Sequence, residues 1–416
     1  IIVFSQTIPV SQQILITEIM YDLDGSDSPN EFVELYNPST TDTLNLDGWS
    51  IQDRSSTDEL IESGYGLKIP PLFYGLILEG DYAIDSGLYQ STIPENAILI
   101  KVDDSSIGNG LSASDSLFLL DSTGLIIETL GWEDWVQDGF SLERIRLHIE
   151  NNPSNWSQSL DSLGSPGLMN SVRPDSIDFA IAGITISPEI ISLNESGTLT
   201  GLVANVGLTL GEPEILVYVN GEFFTNEFPG NISELDTVEF ELEMGPFESG
   251  SQTILITINM AGDSNQSNNS DSTFLGVRYE FRTFVLNEFM PRPASGLPEF
   301  VEIVNISSNP VNMYNWRITD NNVGTNYGLG AITIAANGYG VIAADSSLID
   351  SVPEGIPYIV PNGGFPTLNN SGDIIRIFDP YYTQIDSLTY STDWGISQGV
   401  SLEKYYVNDV SSNQIN

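Results

Sequence analysis

The stretch "NEFVELYN" runs from Asn30 to Asn37, and "PEFVEIVN" runs from Pro298 to Asn305. Each carries two glutamates three positions apart, Glu31 with Glu34 and Glu299 with Glu302, set among Phe, Val, Leu and Ile. Aromatic and β-branched residues in such short runs predict strands, and on a strand residues at odd spacing face opposite sides of the sheet. The two acids of one phrase therefore cannot converge. The match extends outward: Glu18, Met20, Glu31, Phe32, Val33, Glu34, Asn37, Trp49 and Asp53 stand in the same order as Glu288, Met290, Glu299, Phe300, Val301, Glu302, Asn305, Trp316 and Asp320. "SLER" at Ser141 to Arg144 is answered by "SLEK" at Ser401 to Lys404, so a whole domain is repeated.

The rest of the chain reads as strand after strand. Runs such as "AILIKV", "SLFLLDS", "EILVYVN", "TVEFELEM" and "QTILITINM" recur at short intervals between Gly, Asn, Pro, Ser and Asp, with no helical period. The predicted class is all-β, with three immunoglobulin-like β-sandwich domains in tandem, and 416 residues suit roughly three domains. The expected divisions are 1–13, an N-terminal strand or signal-peptide remnant; 14–172, the first copy; 177–277, a separate sandwich; and 282–416, the second copy.

Composition narrows the function. Acidic residues number 57 against 12 basic ones, a formal charge of −45, and a surface of that sign repels phosphate backbones and anionic lipid. No nucleic-acid partner is expected. Cysteine is absent, which excludes disulfides and thiolate metal sites, and no run of apolar residues is long enough for a membrane helix. Together with "IIVFSQ" at the start, this favours a secreted or cell-surface protein.

"NEFVELYNPSTTDTLNLDGWSIQD", followed much later by "SLERIRLHIENNPSNWSQSLDSLGSPGLMNS", resembles the bacterial lamin-tail domain, an immunoglobulin-like sandwich. The residues that carry the likeness are the E-x-x-E-L-x-N strand, the Leu-x-Gly-Trp turn at Trp49, and the terminal S-L-E-R … N-W … G-S-P-G … N-S signature. The second copy departs from it: Asn315 replaces the Gly before Trp316, and no second N-W or G-S-P-G element follows "SLEK". The middle segment, through "GLVANVGLTLGEPEILVYVNGE" and "DSNQSNNS", resembles the CARDB-type adhesion-related module. These resemblances imply framework or binding units of exported proteins. Glu18, Glu34, Asn37 and Trp49, with Glu288, Glu302, Asn305 and Trp316, are then framework positions.

Several clusters of the chain bear residues that could carry chemistry. Glu18 can approach Glu31 or Glu34 across a ladder, and Glu288 can approach Glu299 or Glu302, yet a carboxylate dyad also needs an open cleft. "YDLDGSDSPNE" sets Asp22, Asp24, Asp27 and Glu31 around a Gly-bent loop, which suits calcium as one reading and a solvated hairpin loop as the other. The equivalent "PRPASGLPE" has lost every Asp. A single histidine, His148, supports neither a zinc site nor a triad, so no catalytic residue and no cofactor is expected beyond that calcium reading. Trp132, Trp135 and Trp394 are expected in cores, with sugar stacking as the alternative.

The expected function is a non-catalytic structural or adhesive element of a bacterial surface or extracellular fibre. Self-association or other surface proteins are the expected partners, with residues 1–12 completing a neighbour by strand addition. The alternative is a substrate-binding or carbohydrate-binding accessory region of a secreted hydrolase.

Overall fold

The computed structural model describes residues 14–322, 324, 327–409 and 411. The expected N-terminal strand or signal remnant at 1–13 lies outside them. The chain divides into two compact units, 1–176 and 177–416.

In the first unit a ten-stranded sheet contains, side by side, β3 (Tyr74–Leu78), β2 (Phe32–Tyr36), β1 (Leu15–Met20), β4 (Phe140–Arg144) and β5 (Trp156–Ser162). The sheet wraps around one core, in which Ile19, Val33, Leu35, Ile77 and Leu142 meet Ile51, Leu60, Leu117, Leu119 and Leu130. The alternate residues of these strands point the other way. Met20, Phe32, Leu76 and Leu78 join Leu23, Tyr82, Tyr89, Ala97 and Leu99 in a second, smaller core, with Leu163 against it. Sandwich sheets commonly leave one face wet. Here the central strands are buried on both faces, and β1 is buried at every position.

The second unit holds two sandwiches. The first pairs a three-stranded sheet of Phe179–Ser187, Gly197–Asn205 and Thr237–Met244 with a five-stranded sheet that includes Glu214–Val219, Gly250–Asn259 and Ser270–Val277. Its core holds Phe179, Leu199, Val217, Ile256 and Leu275. The second repeats the first unit: β7 (Phe300–Asn305) lies between β6 (Phe284–Met290) and β8 (Tyr339–Ala343), and β9 (Leu402–Glu403) pairs with the other side of β6. Residues 276–279 join the two sandwiches tightly. Arg278 donates from Nη1 to Tyr381 O (3.2 Å) and Thr383 Oγ1 (2.9 Å), Tyr279 N donates to Asp379 Oδ2 (3.1 Å), and the Tyr279 ring packs on Trp316 at 4.8 Å.

The architecture is all-β, built of tandem sandwiches, as the strand spacing predicts.

Candidate functional site

The repeated glutamates occupy one row across neighbouring strands. Register places Glu18 on β1 opposite Glu34 on β2 and, on its other side, opposite Glu143 on β4. The β1–β2 ladder shifts by a residue beside this row, between Ile16 and Glu18, and the β4–β5 ladder is irregular between Phe140 and Leu142. All three side chains are fully buried, on the face that carries Met20 and Phe32.

The terminal signature covers them. Gly164–Gly167 and Asn170–Val172 lie over the row and donate into it. Glu18 Oε1 accepts from Ser141 Oγ (2.6 Å) and Ser165 N (2.8 Å), and its Oε2 lies 3.1 Å from Ser165 Oγ. Glu34 accepts from Thr17 Oγ1 and Gly167 N, both at 2.6 Å. Glu143 accepts from Ser165 Oγ (2.8 Å), Ser171 Oγ (2.7 Å) and Val172 N (3.0 Å). Asn170 ties the cover down by donating to Thr17 O (2.7 Å) and Arg144 O (2.9 Å).

Two cover glycines are required by space and by backbone. Gly164 has φ +72° and a Cβ there would overlap Glu18 Oε1 and Ser141 Oγ; Gly167 has φ +82° and a Cβ would press on Pro94 and Ala97. Burial, reinforced by the charge on Glu143, raises the Glu18 carboxyl to about 8. Burial and Glu18 likewise push Glu34 well above the usual carboxylate range. Glu18 and Glu34 thus keep protons at neutral pH, which relieves the repulsion that like charges facing each other across a ladder would suffer.

Glu31 points elsewhere. Its Oε2 accepts from Leu111 N (3.0 Å), its own N donates to Glu79 Oε2 (3.0 Å), and burial raises it to about 8. Glu299 repeats this, accepting from Leu368 N at 3.0 Å. Glu34 and Glu302, rather than Glu31 and Glu299, are therefore the partners of Glu18 and Glu288.

Asn37 and Asn305 perform the same task in each copy. Asn37 Nδ2 donates to Asp42 O, Ile69 O and Pro70 O at 2.8–3.0 Å, and Asn305 Nδ2 to Asn309 O, Ile334 O and Ala335 O at 2.8–3.2 Å; both are fully buried. Each staples the end of a strand to a loop. Trp316 is fully buried between Tyr279 and Phe284, whereas Trp49 is only half-buried against its core. Trp132 is buried, stacks on Tyr21 and donates to Ser112 O (3.0 Å), while Trp135 and Trp394 pack half-buried against cores. His148 is exposed.

The acidic loop after β1 does not gather a metal shell. Asp27 Oδ1 accepts from Leu23 N (2.9 Å), closing the turn; Asp24 is exposed, Asp22 is half-buried, and Glu31 turns inward to Leu111. Among the described residues no group of three or more His, Cys, Asp or Glu side chains is arranged to hold a metal ion, and Asp22, Asp24, Asp27 and Glu31 do not converge as the calcium reading requires.

The described residues of the second copy repeat the row. Glu288 pairs with Glu302 and with Glu403 in the same register. Among the described residues nothing lies over them as 164–172 lies over the first row. Glu288 and Glu302 are half-buried, Glu403 is exposed, and the three line an open groove of about 450 Å³. Asn287 Nδ2 donates to Glu302 Oε1 (2.8 Å), where Thr17 serves Glu34. Burial raises Glu302, and Glu288 and Glu403 add to the effect.

A family model for the lamin tail domain matches residues 8–134 and 281–392, together more than half of the chain. The chain belongs to the lamin tail domain family. Two lamin tail domains flank a module similar to CARDB domains: one from Pyrococcus furiosus is 19% identical, covering 25% of this chain and 90% of that one, with a TM-score of 0.23. A domain of a putative cell surface protein from Methanosarcina acetivorans is 15% identical over 26% of this chain and 96% of that one, TM-score 0.21. A β-glucosidase from Listeria innocua is 14% identical over 26% of this chain and 18% of that one, TM-score 0.19. No curated protein matches the chain.

The sequence reading missed Glu143 and Glu403. Their signal was present, since both copies place a Glu inside the "SLE" that opens the terminal signature.

Proposed function

We propose that these lamin tail domains act as non-catalytic structural or adhesive elements of an exported or cell-surface protein. The observation that carries this reading is the covered row. Glu18, Glu34 and Glu143, the carboxylates best placed for acid–base work, are sealed from solvent and accept hydrogen bonds only from this chain's own backbone and hydroxyls. A catalytic acid must reach a substrate proton, and a group under such a cover reaches none. What the row does is fasten the terminal segment to the sheet. Electron microscopy of the purified chain, with a binding assay on bacterial cells, tests the reading. Fibres, layers or cell-bound protein are expected; a dispersed monomer that binds no surface overturns it.

One observation favours the accessory-binding alternative. On the middle sandwich, Phe223, Tyr218 and Leu255 are cross-strand neighbours, Phe274 lies diagonal to Leu255, and all but Tyr218 are exposed. Such aromatic faces suit sugar rings. Glycan binding that disappears with Phe223→Ala and Phe274→Ala would support that alternative.

A further inference from the structure

In the first lamin tail domain Ser165 stands between two acids with one hydroxyl hydrogen to give. Its Oγ lies 2.8 Å from Glu143 Oε1 and 3.1 Å from Glu18 Oε2. A hydroxyl donates once and an ionised carboxylate only accepts, so both contacts are hydrogen bonds only when one of the acids brings a proton. The Ser165 hydrogen goes to Glu143, the shorter contact, whose other oxygen already takes Ser171 Oγ (2.7 Å) and Val172 N (3.0 Å). Glu18 then carries the proton on Oε2 and donates it to Ser165 Oγ, while its Oε1 accepts from Ser141 Oγ and Ser165 N. One proton thus completes a chain of hydrogen bonds from Glu18 through Ser165 to Glu143.

The surroundings offer that proton no substitute. Residues 164–172 carry no charged side chain, and Arg173, just beyond them, acts on the phenols of Tyr36 and Tyr74. The other ionisable groups that face Glu18 are Glu34 on β2, Glu143 on β4, Tyr74 on β3 and Tyr89 in the loop that follows, and burial raises both phenols. A negative Glu18 under the cover would face only acids and neutral phenols, an arrangement that disfavours the charge. The cover itself is held by polar bonds. Its two large apolar side chains, Leu168 and Met169, are exposed, which leaves the hydrogen bonds into the row and from Asn170 as its main hold. The main core of this domain lies on the other face of the sheet, away from the cover.

We propose that residues 164–172 form a proton-held latch: a proton shared along Glu18, Ser165 and Glu143 keeps the segment on the row, and rising pH releases the segment while the sandwich beneath stays folded. Opening admits water to Glu18 and returns its carboxyl to the ordinary 4.5, whereas the closed latch holds it at about 8. Between those values the open state binds fewer protons than the closed one. Opening therefore becomes easier with pH, by up to about tenfold per unit for the Glu18 proton, and that contribution levels off above about 8. The first compact unit ends at residue 176, so a lifted cover lengthens the chain that leads out of it. The device belongs to this domain alone and does not rest on the structural and adhesive reading.

Hydrogen exchange of the full chain from pH 5 to 8, corrected for the intrinsic exchange rate and read by mass spectrometry on peptides spanning the cover, tests the latch. The amides of Ser165, Gly167 and Val172, which donate to Glu18, Glu34 and Glu143, should exchange through an opening that spares the amides of β1 and β2. Their protection should fall by up to about tenfold per pH unit for the Glu18 proton. Glu18→Gln puts an amide hydrogen where the proton sits and keeps an oxygen for Ser141 and Ser165 N, so the cover should stay closed with a slope smaller by up to one proton. Glu143→Gln gives Ser165 a hydrogen from the other side, which frees the hydroxyl to donate to Glu18, and should flatten the slope likewise. Cover protection that stays level across this range, or that matches the protection of β1 and β2 throughout, overturns the proposal. The wild-type profile decides this even where a variant fails to fold. A slope left unchanged in the variants that do fold overturns it as well.

Discussion

Glu18 faces Glu34 directly across the β1–β2 ladder, and neither side chain reaches solvent. Two acids in that position hold together because burial lets them keep protons and because the cover segment donates to them. The arrangement makes the stability of the first unit depend on pH.

Burial raises the folded-state Glu18 carboxyl from its ordinary 4.5 to about 8. Between those values the unfolded chain has lost the proton that the folded chain keeps, so unfolding releases a proton and stability falls as pH rises. For one proton the slope approaches about 1.4 kcal/mol per pH unit. Urea midpoints from pH 4.5 to 8 should show this decline, and Glu18→Gln should flatten it by up to one proton. A wild-type stability that climbs with pH through this window relative to the variant would refute the protonated row.

Gly164→Ala puts a methyl group against Glu18 Oε1 and Ser141 Oγ and forces a residue with a side chain into φ +72°. Roughly 2–4 kcal/mol of stability should be lost, and Ser165 and Val172 amides should lose hydrogen-exchange protection. Gly124→Ala, also at positive φ but with open space around it, should lose less.

Arg144 and Glu128 form a largely buried ion pair at 2.6 Å, with side-chain exposures of 2% and 10%. Burial still outweighs the guanidinium and raises Glu128. Arg144→Met alone leaves an unpaired charge and should cost about 3–5 kcal/mol, while Arg144→Met with Glu128→Leu should recover most of it. Thermal denaturation of the two variants measures the difference.

Asn37→Ala removes the hydrogen bonds that its fully buried amide donates to the carbonyls of Asp42, Ile69 and Pro70 and the one it accepts from Ser39 N. About 2–3 kcal/mol should be lost, and Asn305→Ala should cost a similar amount in the second lamin tail domain. Chemical denaturation followed by Trp fluorescence reads both.

Millimolar calcium should leave the melting temperature within about 1 °C of its value in chelator, because a ligand stabilises only what it binds in the folded state. The reason is local: Asp27 closes its own turn and Glu31 points to Leu111, so the loop after β1 presents no ring of oxygens.

The duplicated phrase made the strands and their framework legible before any coordinates, since period two and the recurrence of Glu18, Glu34, Asn37 and Trp49 at Glu288, Glu302, Asn305 and Trp316 are written in the letters. Which acid joins Glu18 was not. That depends on pairing register and on the one-residue shift beside Glu18, both set by strands far apart in sequence. Glu143 escaped for the same reason, being opposite Glu18 in space and distant along the chain. The acidic loop reads as a calcium site or a solvated hairpin alike, because spacing alone does not reveal that Asp27 and Glu31 turn toward backbone amides. Trp49 and Trp316 read alike in sequence, yet only Trp316 has Tyr279 and Phe284 closing over it.

The joint at Arg278 and Tyr279 carries a mechanical consequence. Because the connecting residues are hydrogen-bonded to Asp379, Tyr381 and Thr383 and packed on Trp316, pulling the chain ends apart loads the middle and last sandwiches through a clamped hinge. Tension would have to break those hydrogen bonds and part Tyr279 from Trp316 before either sandwich could swing free.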